Sequence, residues 1–237
     1  MINFIDDIEP ESPDKVDQPI DDIKPFPDLR SAGRELALKL EPYRQRHDVV
    51  VLAILLGGTL VAHEVASFLG APLDLVIIRR LFMPQGPGSQ VCAVSVGGSM
   101  VFDKELVPHT STPSTPVEHF VAGAIAELKG REQTSRRGRP PIDLTGKTVI
   151  LVDCGIRSSL TMRAAIEALR TKEPEKVVAA VPVSSLGGHA AIAAMADEIV
   201  CLAQPKPFVH VGVWYTDFTR PGDDAVGELL ESGRVRG

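Results

Sequence analysis

Apolar positions along this chain come in short blocks, and the spacing inside the blocks switches between continuous and periodic. "HDVVVLAILL" (47–56) is an unbroken apolar run, the pattern of a central parallel strand covered on both faces. Gly57-Gly58 break it, and "TLVAHEVASFLG" (59–70) then has helical spacing, with Gly70 as its stop. "APLDLVIIRRL" (71–81) predicts a second strand, completing a strand–helix–strand unit. Upstream, "RSAGRELALKLEPY" predicts a helix that places Leu36, Leu38 and Leu40 with Ala32 and Ala37 and ends near Pro42.

The middle of the chain has another texture. "QVCAVSVGGSMVFD" alternates around Gly97-Gly98 and predicts a β-hairpin. "ELVPHTSTPSTP" is a loop, Val117 to Lys129 a helix, and "GREQTSRRGRPP" a basic loop rich in breakers. Strand patterns resume with "KTVILVD", a helix follows from about Ser158 to Lys172, and "KVVAAVPVSS" is another buried strand. "GGHAAIAAMA" predicts a short helix, "DEIVCLA" a strand, and "GDDAVGELLESG" a closing helix after "FVHVGVWYTDF". Strands alternating with helices specify an α/β fold with a largely parallel sheet flanked by helices. The hairpin and its loops, about 82–140, form an insertion above one edge.

Composition narrows this picture. The 237 residues are 44% hydrophobic and 24% charged, enough for one domain with decorations. Residues 1–28 are acidic and proline-rich with little to bury, which predicts a mobile arm ahead of a single domain at 29–237. A net charge of −6 argues against a general nucleic-acid or anionic-membrane binder. Cys92, Cys154 and Cys201 are three widely spaced thiols, read as reduced rather than as a disulfide frame. The N-terminus lacks a signal-peptide pattern and no apolar run reaches membrane-span length, so a cytoplasmic protein is expected.

Three strand ends carry candidate chemistry. Leu56-Gly57-Gly58 offers unhindered backbone N–H groups to an anion. Arg79-Arg80 places two fixed positive charges after a strand. Asp153 precedes Arg157-Ser158-Ser159-Leu160-Thr161, whose N–H groups and hydroxyls open a helix and suit a phosphate. Each has a plainer alternative: a tight turn, a solvated edge, and a capped helix. Cys154 reads as a packed thiol, since no base stands near it in sequence. His63 and His119 have no partner at metal spacing. Arg136-Arg137-Gly138-Arg139 reads as exposed, and Trp214, Tyr215 and Phe218 as either core or a lid over a planar ring.

From Arg30 to Leu230 the chain resembles the type I phosphoribosyltransferases, within a bacterial branch of predicted members. The anchors are "AGRELA", "VVVLAILLGGTLVAHEVASFLGAPLDLVIIRRL", "LTGKTVILVDCGIRSSLTMRAAIEALR", "VVAAVPV" and "VGVWYTDF". The resemblance implies a five-stranded parallel core under a small hood, a site for phosphoribosyl pyrophosphate (PRPP), and commonly a homodimer. It implies that Asp153 holds the ribose hydroxyls and that Arg157, Ser158, Ser159, Leu160 and Thr161 form the 5′-phosphate loop. Leu56, Gly57 and Gly58 would be the pyrophosphate loop, with Arg79 and Arg80 close to it. Magnesium would arrive with PRPP rather than on side-chain ligands.

The chain departs from the family pattern at three points: Cys154 replaces a second acid, Ser159 a glycine, and Leu56 a basic residue. A thiol accepts weakly, and hydrogen bonds to charged groups contribute about 1.5–3 kcal/mol. Two functions are therefore expected of the site: transfer of a 5-phosphoribosyl group, or binding of a sugar phosphate or nucleotide as a non-catalytic sensor.

Overall fold

A computed structural model describes residues 24–83, 90–102 and 115–233. Among them the strands form two sheets. Five parallel strands make the larger: β1 (Val49–Ile54), β2 (Leu73–Val76), β6 (Thr148–Val152), β7 (Lys176–Val183) and β8 (Glu198–Ala203), in the spatial order β2-β1-β6-β7-β8. The continuous apolar runs are explained by burial on both faces. Val49, Val51 and Ala53 pack into one core cluster, and Val50, Leu52 and Ile54 into another on the opposite side. β6 divides in the same way, Ile150 and Val152 against Val149 and Leu151.

Helices α1 (Leu29–Lys39), α2 (Thr59–Leu69) and α6 (Asp223–Ser232) contribute to the first cluster, and α4 (Leu160–Arg170) and α5 (Leu186–Ala193) to the second. Asp28 caps α1 by accepting from Ser31 N–H at 2.6 Å. Within α1, Leu36 is buried with Ala32 and Ala37, and Leu40 just beyond the helix end is buried too, but Leu38 is 64% exposed. Two helical steps turn a side chain by about 200°, so Leu38 cannot share a face with Leu36. Lys24 to Asp28 lie against the domain: Phe26 is buried, donates its N–H to Trp214 O at 2.8 Å and stacks near Tyr215.

The predicted strand at 71–81 is two strands. β2 leaves the parallel sheet at Val76, and β3 (Ile78–Met83) starts an antiparallel sheet with β4 (Gln90–Ser95) and β5 (Met100–Phe102). Hydropathy runs unbroken through the join, so the pattern alone does not reveal it. What separates the two is pairing: β2 ends where β1 ends, at Ile54↔Val76, whereas Ile78 to Met83 match Ser95 to Gln90. The expected hairpin is present, with Gly98 at φ +85 in its turn.

Helix α3 (Thr115–Arg136) runs well beyond Lys129, through most of the segment expected to be a loop. Its last turn is held from outside. Arg136 and Asp74 form an ion pair with both side chains only 8% exposed, and Arg136 also donates to Leu75 O at 2.8 Å. The helix closes on Arg137 and Gly138, both at positive φ, whose N–H groups return to Thr134 O and Gln133 O. Arg137 then reaches Glu231, and Arg139 donates to Gly227 O. The basic run is thus a strap between the β2 edge and α6, in which Arg136 is buried while Arg137 and Gly138 stay exposed as expected.

Candidate functional site

The order β2-β1-β6-β7-β8 contains one reversal. From β1 the chain moves outward to β2, and from β6 it moves the other way to β7 and β8. Ligands of open α/β sheets bind beyond the carboxyl ends of the strands at such a switch point. Here those ends are Leu55–Gly58 after β1 and Asp153–Ser159 after β6.

The two ends touch. A Cβ on Gly57 would lie 2.8 Å from Asp153 Oδ1 and 3.1 Å from Cys154 Sγ. A Cβ on Gly58 would lie 2.3 Å from Val152 O. Neither glycine is there for a left-handed turn; Gly58 has φ −82 and the left-handed residue is Leu56, at φ +68. A non-glycine residue in that region carries roughly 1–2 kcal/mol of strain, the kind of local strain that collects at functional loops. Gly58 then opens α2 without a side-chain cap.

The loop after β6 is pinned on every side. Cys154 N–H donates to Asp153 Oδ1 at 2.7 Å, and Tyr215 Oη donates to Cys154 O at 2.5 Å. Ile156 exchanges backbone hydrogen bonds with the end of β7, through Val183 O and Ser185 N–H. Ser185 Oγ donates to Arg157 O at 2.8 Å. Gly155 is wedged between Val183 and Val211, where a Cβ would meet carbon at 2.8 and 2.9 Å. Arg157 and Ser158 are exposed beyond these anchors, and Ser159 and Thr161 are half-buried. α4 begins at Leu160, two residues later than expected, so Ser158 and Ser159 stand ahead of the helix. The first N–H groups of a helix have no intrahelical acceptor. Among the described residues, a long 3.4 Å contact from Leu160 N–H to Ser158 Oγ engages one of them.

Burial pushes the Asp153 carboxyl up to about 6; the Cys154 N–H and the Arg220 charge pull the other way. Burial and the neighbouring Asp153 also push the Cys154 thiol well up, so at pH 7 it is a neutral packed group. The acid's displacement has a stability consequence. Below its ordinary value of 3.8 it is protonated folded and unfolded alike; between there and about 6 only the folded state keeps the proton. Asp153 therefore lowers stability as pH rises through that window. Asp153→Asn is expected to exceed the wild type at pH 7 by on the order of 2 kcal/mol, allowing for solvent that still reaches the carboxyl. The advantage should fade toward pH 4 in paired melts across that range; a constant difference would contradict it.

Arg79 and Arg80 do not act together. Arg79 lies opposite Val94, on the face packed against α3, and pairs with Glu127. Arg80 lies opposite Ala93, whose side chain packs with Leu160 and Ala164 of α4. Cross-strand partners share a face, so Arg80 alone of the two is directed to the side where α4 packs. Trp214 and Tyr215 are core: Trp214 is 2% exposed, and Tyr215 is buried under Phe26 and Phe218. His63 sits between Arg30 and Ser232, with burial holding its pKa below the ordinary value, away from the crevice residues. The side chain of His119 lies outside the described residues. Among the described residues no group of three His, Cys, Asp or Glu is gathered for a metal, and no helix is long and apolar enough to cross a membrane.

Sequence reading missed Arg220. Its guanidinium stacks on Phe218, 4.9 Å from the ring centroid, and its charge acts on both Asp153 and Cys154. Nothing in the local pattern "YTDFTRPG" marks it; only the folding of that segment over the β6 end brings it in.

A parallel α/β sheet whose switch-point crevice holds a glycine pair, a carboxylate and a helix N-terminus, beside a small antiparallel sheet, has the architecture of the type I phosphoribosyltransferases. The chain belongs to the phosphoribosyl transferase domain family, whose match spans residues 19–215. Proteins of two Mycobacterium tuberculosis strains, curated under a name that assigns them provisionally as phosphoribosyl transferases, are 38% identical over 209 residues. These alignments take in 88% of this chain and 47% of the relatives, so the chain spans about half the length of the curated relatives it matches. Among solved structures, TT1426 from Thermus thermophilus is 35% identical, with a TM-score of 0.74 over 88% of this chain and 98% of that one.

Proposed function

We propose that this protein binds PRPP in the crevice between the ends of β1 and β6 and transfers its 5-phosphoribosyl group to a nitrogen nucleophile. The observation that carries this reading is the contact of Gly57 with Asp153 at the switch point, one loop away from the N-terminus of α4. The 5′-phosphate would lie against Arg157–Thr161, with Asp153 accepting from the ribose hydroxyls. The nucleophile forms a bond to C1 of the ribose while the C1–oxygen bond breaks and its electron pair leaves on pyrophosphate. The residues present fit magnesium carried by the ligand's own oxygens, since Asp153 is the one carboxylate described at the crevice and its Oδ1 already accepts from Cys154 N–H. Bound in that way, the ion would neutralise charge on the departing pyrophosphate.

Arg157→Ala is expected to weaken PRPP about ten- to a hundredfold, the range for a hydrogen bond to a charged group, as measured by calorimetric titration with magnesium. Unchanged affinity would remove Arg157 from the phosphate loop.

A second reading, a ligand sensor without turnover, is favoured by Leu56 in place of a cation and by the neutral Cys154 thiol. Both losses bear on the chemical step, which depends on stabilising developing charge. Pyrophosphate release in a single turnover, with a panel of nitrogenous bases, separates the two. Release supports transfer; magnesium-dependent binding with no release from any base supports the sensor. Absence of binding at millimolar PRPP overturns both.

A further inference from the structure

We infer that Phe26, acting through Tyr215, positions the Asp153 loop, so that the segment ahead of α1 governs how the crevice holds its ligand. The consequence for PRPP rests on the reading of the crevice given above; the coupling between Phe26 and the loop stands apart from it.

The loop needs a hold that the sheet does not supply. Asp153 N–H still donates to Ala180 O at 3.3 Å, continuing the ladder between β6 and β7. The next bond of a parallel ladder would come from the N–H of residue 182, and Pro182 has none. Pairing with β7 resumes at Ile156, whose N–H reaches Val183 O at 2.9 Å. Between these points, among the described residues, the Cys154 carbonyl accepts from Tyr215 Oη alone, at 2.5 Å. Cys154 is buried, so without that hydroxyl its carbonyl would sit away from water with no donor. The N–H of the same residue bonds Asp153 Oδ1, the oxygen that a Cβ on Gly57 would meet at 2.8 Å. One tyrosine hydroxyl thus fixes the residue that orients the carboxylate.

Tyr215 depends on Phe26 in turn. It belongs to no strand or helix and follows a short 3-10 helix at Val211–Trp214. The peptides on either side of it are held from the segment ahead of α1. Phe26 N–H donates to Trp214 O and Phe26 O accepts from Thr216 N–H, both at 2.8 Å. Pro27 O accepts from Asp217 N–H at 2.9 Å. The Phe26 and Tyr215 rings lie 5.7 Å apart, and both residues are buried. Three backbone bonds and a ring contact therefore set Tyr215, and Tyr215 sets the loop. A plain packing role for Phe26 would cost stability alone, whereas a positioning role also costs order in residues 153–159.

The experiment follows hydrogen exchange of residues 153–159 by mass spectrometry, without ligand. It compares the wild type with Phe26→Ala, Phe26→Leu, Tyr215→Phe and Val177→Ala. Tyr215→Phe keeps the ring and removes only the hydroxyl. Val177 is buried near the opposite end of β7, and its truncation controls for a general loss of stability. Exchange in the loop should quicken at least about threefold in Phe26→Ala and Tyr215→Phe, and stay near the wild type in Val177→Ala. Phe26→Leu, which keeps an apolar side chain, should show a smaller quickening, and it serves if alanine does not fold. Titration with PRPP and magnesium should give about three- to tenfold weaker binding in Tyr215→Phe, the range for one neutral hydrogen bond. Phe26→Ala combined with Tyr215→Phe should lose no more than the larger single loss, since both act on one bond. Unchanged exchange in the Phe26 variants overturns the coupling, as does equal quickening in Val177→Ala. Quickened exchange with undiminished PRPP affinity overturns the positioning role. If the wild type takes up no PRPP, the reading of the crevice fails, and the exchange result alone decides whether Phe26 controls the loop.

Discussion

Asp74→Ala should lower the melting temperature by roughly 6–20 °C, the larger of two stability losses expected in this fold. Asp74 and Arg136 face each other with 8% of each side chain exposed. Removing one partner of a buried pair costs about 3–5 kcal/mol because the other charge stays desolvated, and each kcal/mol shifts a chain of this size by about 2–4 °C. Asp74 does more than pair. Its two oxygens also accept from Leu75 N–H at 2.8 Å and Ile142 N–H at 2.9 Å, so alanine leaves two backbone donors without their acceptor and the buried guanidinium with only Glu132, at 3.0 Å, and Leu75 O. Arg136→Ala should cost somewhat less, because the carboxylate keeps those two donors. In that variant α3 should also fray from its C-terminal end, since Leu75 O loses the Arg136 donor that ties the last turn to β2. Thermal melts of both variants by circular dichroism check the ranking. A loss below about 3 °C for Asp74→Ala would mean that water reaches the pair freely.

Gly58→Ala is the second large effect, and it separates folding from binding when set beside Gly57→Ala. The Gly58 methyl would meet the Val152 carbonyl at 2.3 Å and the Asp153 Cα at 3.0 Å, both backbone atoms of the neighbouring strand end. Backbone in the middle of a parallel sheet cannot step aside, so β1 and β6 must part where they carry the site. Overpacking of this kind costs about 1–3 kcal/mol and more where nothing can yield; the upper end, at least about 3 kcal/mol, is expected here. The Gly57 methyl would meet the tips of side chains, Asp153 Oδ1 and Cys154 Sγ, which can rotate. Gly57→Ala should therefore fold nearly as well as the wild type while displacing the Asp153 carboxyl and losing most PRPP affinity. Urea midpoints and PRPP titrations on both variants test this. Equal stability losses would show that the two glycines do not serve different neighbours.

For both sites the relevant neighbours are far away in sequence, and this bounds what could be read in advance. The parallel core was legible because its cause is local: residues 49–54 and 148–152 are apolar at almost every position, which suits only strands with both faces covered. The loop between β6 and α4 was legible for a similar reason, since an acid at a strand end followed by hydroxyls and a helix start is a contiguous pattern.

Other features depend on a partner that the local pattern does not name. The split of 71–81 into β2 and β3 depends on which strand each half pairs with, β1 or β4. The extra turns of α3 depend on Asp74, and the basic run after it reads as open only until Glu231 and Gly227 are brought beside it. The need for glycine at 57 and 58 was visible, but its reason was not: close approach of β6 rather than a turn. Arg80 was separated from Arg79 by strand alternation, once β3 had a sheet to alternate in.

By itself, then, the sequence determined most of the elements, the both-faces-buried sheet and the candidate phosphate loop, because periodicity and strand-end chemistry are written in consecutive residues. The tertiary structure alone decided the meeting of Gly57 with Asp153, the burial that pushes that carboxyl up to about 6, and the arrival of Arg220 over Phe218 beside it. Those are properties of distance and desolvation, which exist only after residues remote along the chain have packed together.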